Sequence, residues 1–181
     1  MPVDVKRMIA ETFEELLKHR SIDKITVKNL VESCKISRQT FYYHFQDILD
    51  VIEWAMQQEM QRMLEASLKA ESPEEAMTVF ASIPEEHCRM IRRLLDSRRR
   101  DQIGRIMTDT LRTYLQEMFH TKVPQLEMSL SRGEWDVMLD FYAYGMAGVL
   151  LKNCVQDHMP PDILAHYICR LFPERLLESK S

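Results

Sequence analysis

The 181 residues carry a net charge of −4 with 45% hydrophobic and 29% charged residues, a balance that excludes a disordered chain and argues against a general nucleic-acid binder. Only four glycines, thirteen methionines and no long alternating Val/Ile/Thr run favour helix throughout, so the expected fold class is all-α, in one large domain or two small ones. No apolar run approaches the roughly 20 residues that span a bilayer, and the acidic start MPVDVKRMIAETFEEL lacks a signal-peptide core, so a cytoplasmic protein without membrane contact is expected.

Residues 4–19 place Met8, Ile9, Phe13, Leu16 and Leu17 on one stripe, which predicts a first helix that covers the two short helices after it. Residues 19–25 read as a turn. The stretch Thr26 to Ile48, TVKNLVESCKISRQTFYYHFQDI, then splits into two short helical patterns. In the first, Val27, Leu30, Val31 and Cys34 share an apolar face behind Thr26, an N-cap type. In the second, Ser37 is the N-cap candidate, and Phe41 and Phe45 form an i,i+4 apolar pair. Gln39, Thr40, Tyr43 and Gln46 lie opposite that pair, with Arg38 in the first turn. Such groups on a short helix pinned by two aromatics suit reading base edges and phosphates in a major groove. The plainer alternative is an αα-hairpin with a solvated face, although such a face more usually carries Lys and Glu. Between Lys24 and Gln46 the cations Lys24, Lys28, Lys35 and Arg38 oppose only Glu32, so this stretch is basic on an acidic chain.

Thr26 to Phe45 resembles the helix-turn-helix of the TetR/AcrR family of bacterial transcription regulators. The matching positions are Thr26, Val27, Leu30, Ile36, Ser37, Thr40, Phe41, Tyr42, Tyr43, His44 and Phe45. The segment CKISRQTFYYHF, Cys34 to Phe45, is also similar to a subgroup associated with dihydroxyacetone-kinase genes. The resemblance implies an N-terminal three-helix helix-turn-helix domain over 1–46 and a C-terminal helical bundle for regulation and dimerisation over 47–181. It implies a homodimer on a palindromic double-stranded DNA operator, acting as a repressor under a small-molecule or protein effector. The implied DNA-binding residues are Thr26, Lys28, Ser37, Arg38, Gln39, Thr40, Tyr42, Tyr43 and His44. Of these, Arg38, Gln39 and Thr40 are assigned to bases and Tyr43 and His44 to phosphate, with Tyr42 nearer the apolar side. No catalytic residue, metal or cofactor is implied.

Two positions depart from the family pattern. Lys35 stands where Gly is usual, at a turn expected to need a positive φ. Gln46 and Ile48 stand where a phosphate-binding Lys is usual. The second departure keeps a rival reading open, in which a weakened head serves a protein-interaction regulator.

Further along, Asp47 caps a long helix to about Ala70, with Val51, Ala55, Met56, Met63 and Leu64 inward. Ser72-Pro73-Glu74-Glu75 and Ser82-Ile83-Pro84-Glu85-Glu86 read as helix starts. The six arginines from Arg92 to Arg105 read as a solvated bend in preference to a second nucleic-acid contact. A helix fits 101–120, and Pro124 with Ser129–Gly133 reads as a loop. The helix over 134–157 is apolar nearly all round and should be buried on two sides. Pro160-Pro161-Asp162 starts a last helix. In the family the last two long helices pair with their copies, so the resemblance implies a dimer contact over 134–157 and 162–172, with Gly145 and Gly148 permitting close approach.

Cys34, Cys88, Cys154 and Cys169 read as reduced small hydrophobes. A metal site of Cys154, His158, His166 and Cys169 is the weaker alternative. Methionines and aromatics between Met56 and Met146 read as core in preference to a ligand cavity. No nucleophile elbow, P-loop, dinucleotide glycine pattern or zinc-protease motif occurs, so an enzyme is not expected.

Overall fold

A computed structural model describes residues 4–157 and 159–172. Among them the chain forms ten α-helices and no strand. These are α1 (Val5–His19), α2 (Val27–Cys34), α3 (Arg38–His44), α4 (Ile48–Leu68) and α5 (Pro73–Ala81), followed by α6 (Glu85–Leu95), α7 (Arg100–Lys122), α8 (Pro124–Ser129), α9 (Arg132–Lys152) and α10 (Pro161–Cys169). A 3₁₀ turn over Ile22–Lys24 precedes α2, and a π turn over Asn153–Asp157 comes after α9.

The helix starts have local chemical causes. The Asp4 carboxylate accepts the Arg7 N–H, and the Ser72 hydroxyl accepts the Glu75 N–H ahead of Pro73 at the first helical position. Two departures from the sequence reading have local causes of the same kind. Pro124–Ser129 is helical rather than loop, because Pro124 at the first position supplies a helical φ without losing an intrahelical donor. α9 begins at Arg132, before Glu134, because Ser131 and Glu134 form a reciprocal cap. The Ser131 N–H and hydroxyl both donate to Glu134 Oε2, at 2.8 and 2.6 Å.

The helices gather into two units. The first holds the chain up to Gln58 together with Arg89–Met107, and the second holds Glu59–Cys88 and the chain from Thr108 onward. In the first, Ile9, Phe13 and Leu17 of α1 share one core with Leu30 of α2, Phe41 and Phe45 of α3, and Val51 and Ile52 of α4. Leu94 and Ile103, far along the chain, complete that core. In the second, Leu111, Leu115 and Phe119 of α7 pack with Trp135, Leu139, Ala143, Met146 and Leu150 of α9 and Leu164 and Ile168 of α10.

Polar contacts in the second unit join residues distant in sequence. Arg112 of α7 donates to Asp136 at 2.6 Å and to Asp140 at 2.8 Å, one turn apart on α9. Tyr114 Oη donates to Ser67 Oγ at 2.9 Å, and Ser67 Oγ donates to the Ala76 carbonyl at 3.3 Å. Burial pushes the Tyr114 phenol up to about 12, so it stays neutral. A cavity of about 110 Å³ adjoins this relay, lined by Met77, Tyr114, Met118, Phe119, Lys122 and Phe172 among others.

The cysteines correct one expectation. Cys88 and Cys154 are joined by a disulfide, with their Cα atoms 5.2 Å apart, a separation that a disulfide spans. Cys34 and Cys169 are free thiols. Burial, with Glu74 nearby, pushes the Cys169 thiol up to about 11. Cys154 is therefore not a thiolate ligand, and His166 Nδ1 lies 3.1 Å from Glu74. His158 lies outside the described residues. Among the described residues, no helix is long and apolar enough to cross a membrane.

The Ser67 relay gives an asymmetric expectation. Ser67→Ala strands the buried Tyr114 hydroxyl and should cost about 1–3 kcal/mol, whereas Tyr114→Phe leaves Ser67 its bond to Ala76 and should cost about 1 kcal/mol or less. Urea denaturation midpoints at neutral pH check the order.

Candidate nucleic-acid interface

The candidate surface rests on three short helices that fix one another. Thr26 Oγ1 accepts the Asn29 N–H at 3.2 Å, and Asn29 Oδ1 takes the Thr26 N–H at 3.0 Å and its hydroxyl at 2.8 Å. This is a capping box with Asn in place of the usual Glu or Gln. It anchors the start of α2, and Lys28 lies exposed there, 3.9 Å from Glu32. An exposed pair of that length contributes little to stability, so the ammonium is held only loosely.

α2 ends at Lys35, whose φ of 55° and ψ of 41° lie in the left-handed region. The Ile36 N–H reaches back to the Val31 carbonyl at 3.0 Å and the Lys35 N–H to Glu32 at 3.3 Å. That pair of bonds is the Schellman closure, which normally takes glycine because it has no Cβ to strain. The positive φ expected from the sequence is therefore present, and a lysine occupies it.

The turn delivers the chain into α3. Ser37 Oγ accepts the Thr40 N–H at 3.0 Å and pairs with Thr40 Oγ1 at 2.8 Å, so both hydroxyls are engaged locally. Phe41 and Phe45 are buried, with ring centroids 6.0 Å apart. Trp54 of α4 stands edge-on to Phe45 at 6.1 Å, and Lys6 of α1 sits over the same ring at 5.3 Å. With its apolar side occupied, α3 exposes Arg38, Gln39, Tyr42 and Tyr43. Tyr43 is 84% exposed and Tyr42 57% exposed, so Tyr42 lies further out than its place near the apolar side suggested. His44 is half-buried and meets Tyr43 edge-on at 5.0 Å.

After α3, Asp47 Oδ1 accepts the Leu49 and Asp50 N–H groups at 2.7 and 3.1 Å, while Asp50 Oδ2 takes the Gln46 N–H at 2.8 Å. This cap starts α4. Gln46 is exposed, whereas Ile48 is only 4% exposed and belongs to the core. A lysine at 48 would bury its charge in this fold, so only position 46 is open to a cation. The sequence reading missed Asn29 and Lys6 as supports. The first has a local signal in the Thr-x-x-Asn spacing, and the second has none.

The comparisons with known proteins agree with this geometry. Residues 9–53 match the family model described as bacterial regulatory proteins, tetR family. The HTH-type dhaKLM operon transcriptional activator DhaS of Lactococcus lactis subsp. lactis is 27% identical over 59 residues, which is 33% of this chain and 32% of that protein's length. This curated relative is thus matched over about a third of its length.

Solved structures share the fold over nearly the whole chain. The dihydroxyacetone kinase operon activator DhaS superposes with a TM-score of 0.62 at 14% identity, covering 92% of each chain. The fatty acid degradation regulator FadR from Bacillus halodurans gives 0.58 at 13% identity, covering 97% of this chain and 96% of its own. The TetR family repressor AlkX from Dietzia sp. gives 0.57 at 14% identity, covering 93% and 96%. At these identities the likeness establishes the fold.

Lys35→Gly should stabilise the first unit by about 1 kcal/mol, by removing the Cβ penalty of the left-handed conformation. A rise in the thermal midpoint checks this, and a fall would mean that the Lys35 side chain makes a compensating contact.

Proposed function

We propose that this chain is a sequence-specific DNA-binding transcriptional regulator that acts as a homodimer on a palindromic operator. One observation carries the reading: α3 buries Phe41 and Phe45 and turns Arg38, Gln39 and Tyr43 outward from a tetR-family head. DNA reading is assigned to residues 1–46, and dimerisation and regulation to 47–181. Arg38 and Gln39 read base edges, with Thr40 beside them. Tyr43 and His44 meet phosphate, Tyr42 flanks them, and the α2 start with Thr26, Lys28 and the Ser37 cap positions the backbone. The role is one of binding, not catalysis, and it is exercised in the cytoplasm.

The dimer reading is supported by an uncovered surface. α9 turns Val137, Phe141 and Tyr144 to solvent, with Phe141 71% exposed, and α10 leaves Ile163 and Tyr167 exposed. Apolar patches of this kind on a soluble chain mark association. Among the described residues, a Cβ built at Gly145 or Gly148 meets nothing within 4 Å outside its own helix, so that stretch of α9 is open. Gly148→Arg should therefore leave the helical content unchanged and convert a micromolar dimer to monomer. Sedimentation showing the wild type already monomeric would sink the dimer.

A small-molecule effector is supported by the cavity in the second unit, whose volume of about 110 Å³ suits a compact, largely apolar ligand. Such a ligand shifts regulation only by its difference in affinity between two states of the body.

The test of DNA reading uses a duplex selected from a randomised pool by the wild-type protein, compared with a scrambled duplex over a salt series. Arg38→Ala should cost about 1–3 kcal/mol per half-site and relax preference at one base pair. Gln46→Lys should strengthen binding to both duplexes and steepen the salt slope by roughly one counterion per subunit. If Arg38→Ala weakens both duplexes equally, the placement of α3 in the groove is wrong. If the wild type selects no sequence at all, the rival reading of a protein-interaction regulator takes its place.

A further inference from the structure

The arginine run between Arg92 and Arg105 divides by environment within the first unit. Arg93 does not simply point to solvent. Its Nη1 donates to the Leu17 carbonyl at 2.7 Å and, in a shorter contact, to the Lys18 carbonyl. The last main-chain bond of α1 runs from the Arg20 N–H to Leu16, so the Leu17 and Lys18 carbonyls lie just past it, at the C-terminal end of the helix. A guanidinium placed there satisfies both oxygens and opposes the negative end of the helix dipole. Five residues on, the Arg98 N–H donates to Asp23 Oδ2 at 3.3 Å, in the 3₁₀ turn that leads into α2. Leu94 and Ile103, flanking this stretch, are buried in the core that holds Phe13, Leu17 and Phe41.

We infer that Arg93 is a positioning residue for DNA recognition, fixing the end of α1 and thereby the direction in which α3 presents its side chains. The inference rests on the DNA-reading proposal above. α3 has seven residues, too few to hold a helix or a direction without packing. Its buried Phe41 and Phe45 share one core with Ile9, Phe13 and Leu17 of α1, and Lys6 of the same helix covers the Phe45 ring. A forked contact to a base edge depends on the angle of approach, so a small rotation of α1 misaims Arg38 and Gln39. A charge attraction to phosphate depends on that angle far less. Arg93 therefore governs discrimination between sequences, from a position 76 residues beyond Leu17. Its guanidinium is already committed to two carbonyls, so it acts through α1 and not on DNA.

The experiment uses the full-length protein, with the duplex selected by the wild type and its scrambled counterpart. Arg93→Ala should lower affinity for the selected duplex on the order of tenfold, while the scrambled affinity and the salt slope stay as in the wild type. Arg93→Lys should recover part of the loss, because an ammonium lacks the planar fork. Asp23→Ala, which frees the second attachment, should act in the same direction, and the double variant should lose less than the product of the two. Amide exchange should quicken at residues 38–44 while α9 remains as protected as before. Equal losses on both duplexes, tracking a lowered thermal midpoint, would overturn the inference in favour of a merely structural cap. A salt slope reduced by about one would also overturn it, by making Arg93 a phosphate contact. So would unchanged discrimination. If the wild type selects no sequence, the DNA reading fails, and unchanged exchange at residues 38–44 would then overturn the positioning role separately.

Discussion

The burial of Phe41 and Phe45 is the constraint on which the first unit depends. A helix of seven residues forms few internal hydrogen bonds and does not persist in water by itself. Its existence is therefore a tertiary fact, supplied by two rings that leave water for a core shared with α1, α2 and α4. Once those rings are committed, the geometry of a helix dictates the rest. Arg38, Gln39 and Tyr43 have no core to enter and face outward. The Ser37 cap fixes the start of α3, the Asp47 cap starts α4 behind it, and the strained Lys35 turn joins α2 to α3. The function proposed for the surface comes from its being the side that folding leaves over.

α9 poses the opposite problem, because it is apolar on both sides. Trp135, Leu139, Ala143, Met146 and Leu150 form the stripe taken by the second unit's own core. Val137, Phe141 and Tyr144 are left in solvent. A hydrophobic pattern spread around a helix does not say which side meets its own chain and which meets another molecule. The structure divides the two, and the open Gly145 and Gly148 lie on the uncovered side. That division motivates a second copy as the occupant.

The polar chemistry of the second unit works over long sequence distances. Arg112 spans two aspartates on α9, and Tyr114 completes a buried relay through Ser67 to Ala76. The Ser67 relay satisfies hydroxyls that burial would otherwise penalise, whereas the Arg112 pairs lie nearer solvent. The Cys88–Cys154 disulfide belongs to the same class of long-range link, and it is where the reading of all four cysteines as small hydrophobes failed.

Much of the candidate surface was legible in the sequence, because its signals lie within one or two helical turns. The i,i+4 spacing of Phe41 and Phe45, the Ser37 cap, the positive φ at Lys35 and the Asp47 cap all act between neighbours, and all are present. The short helix Pro124–Ser129 and the earlier start of α9 were missed, because six residues carry too little periodicity and the Ser131–Glu134 cap lay inside an apparent loop. What only the tertiary structure decided are the pairings without local spacing. Arg93 meets Leu17 across 76 positions, Cys88 meets Cys154 across 66, and Tyr114 meets Ser67 across 47. Helical periodicity reports which side of a segment is apolar. It carries no information about which distant segment will lie against that side, since that choice is made by the packing of whole helices.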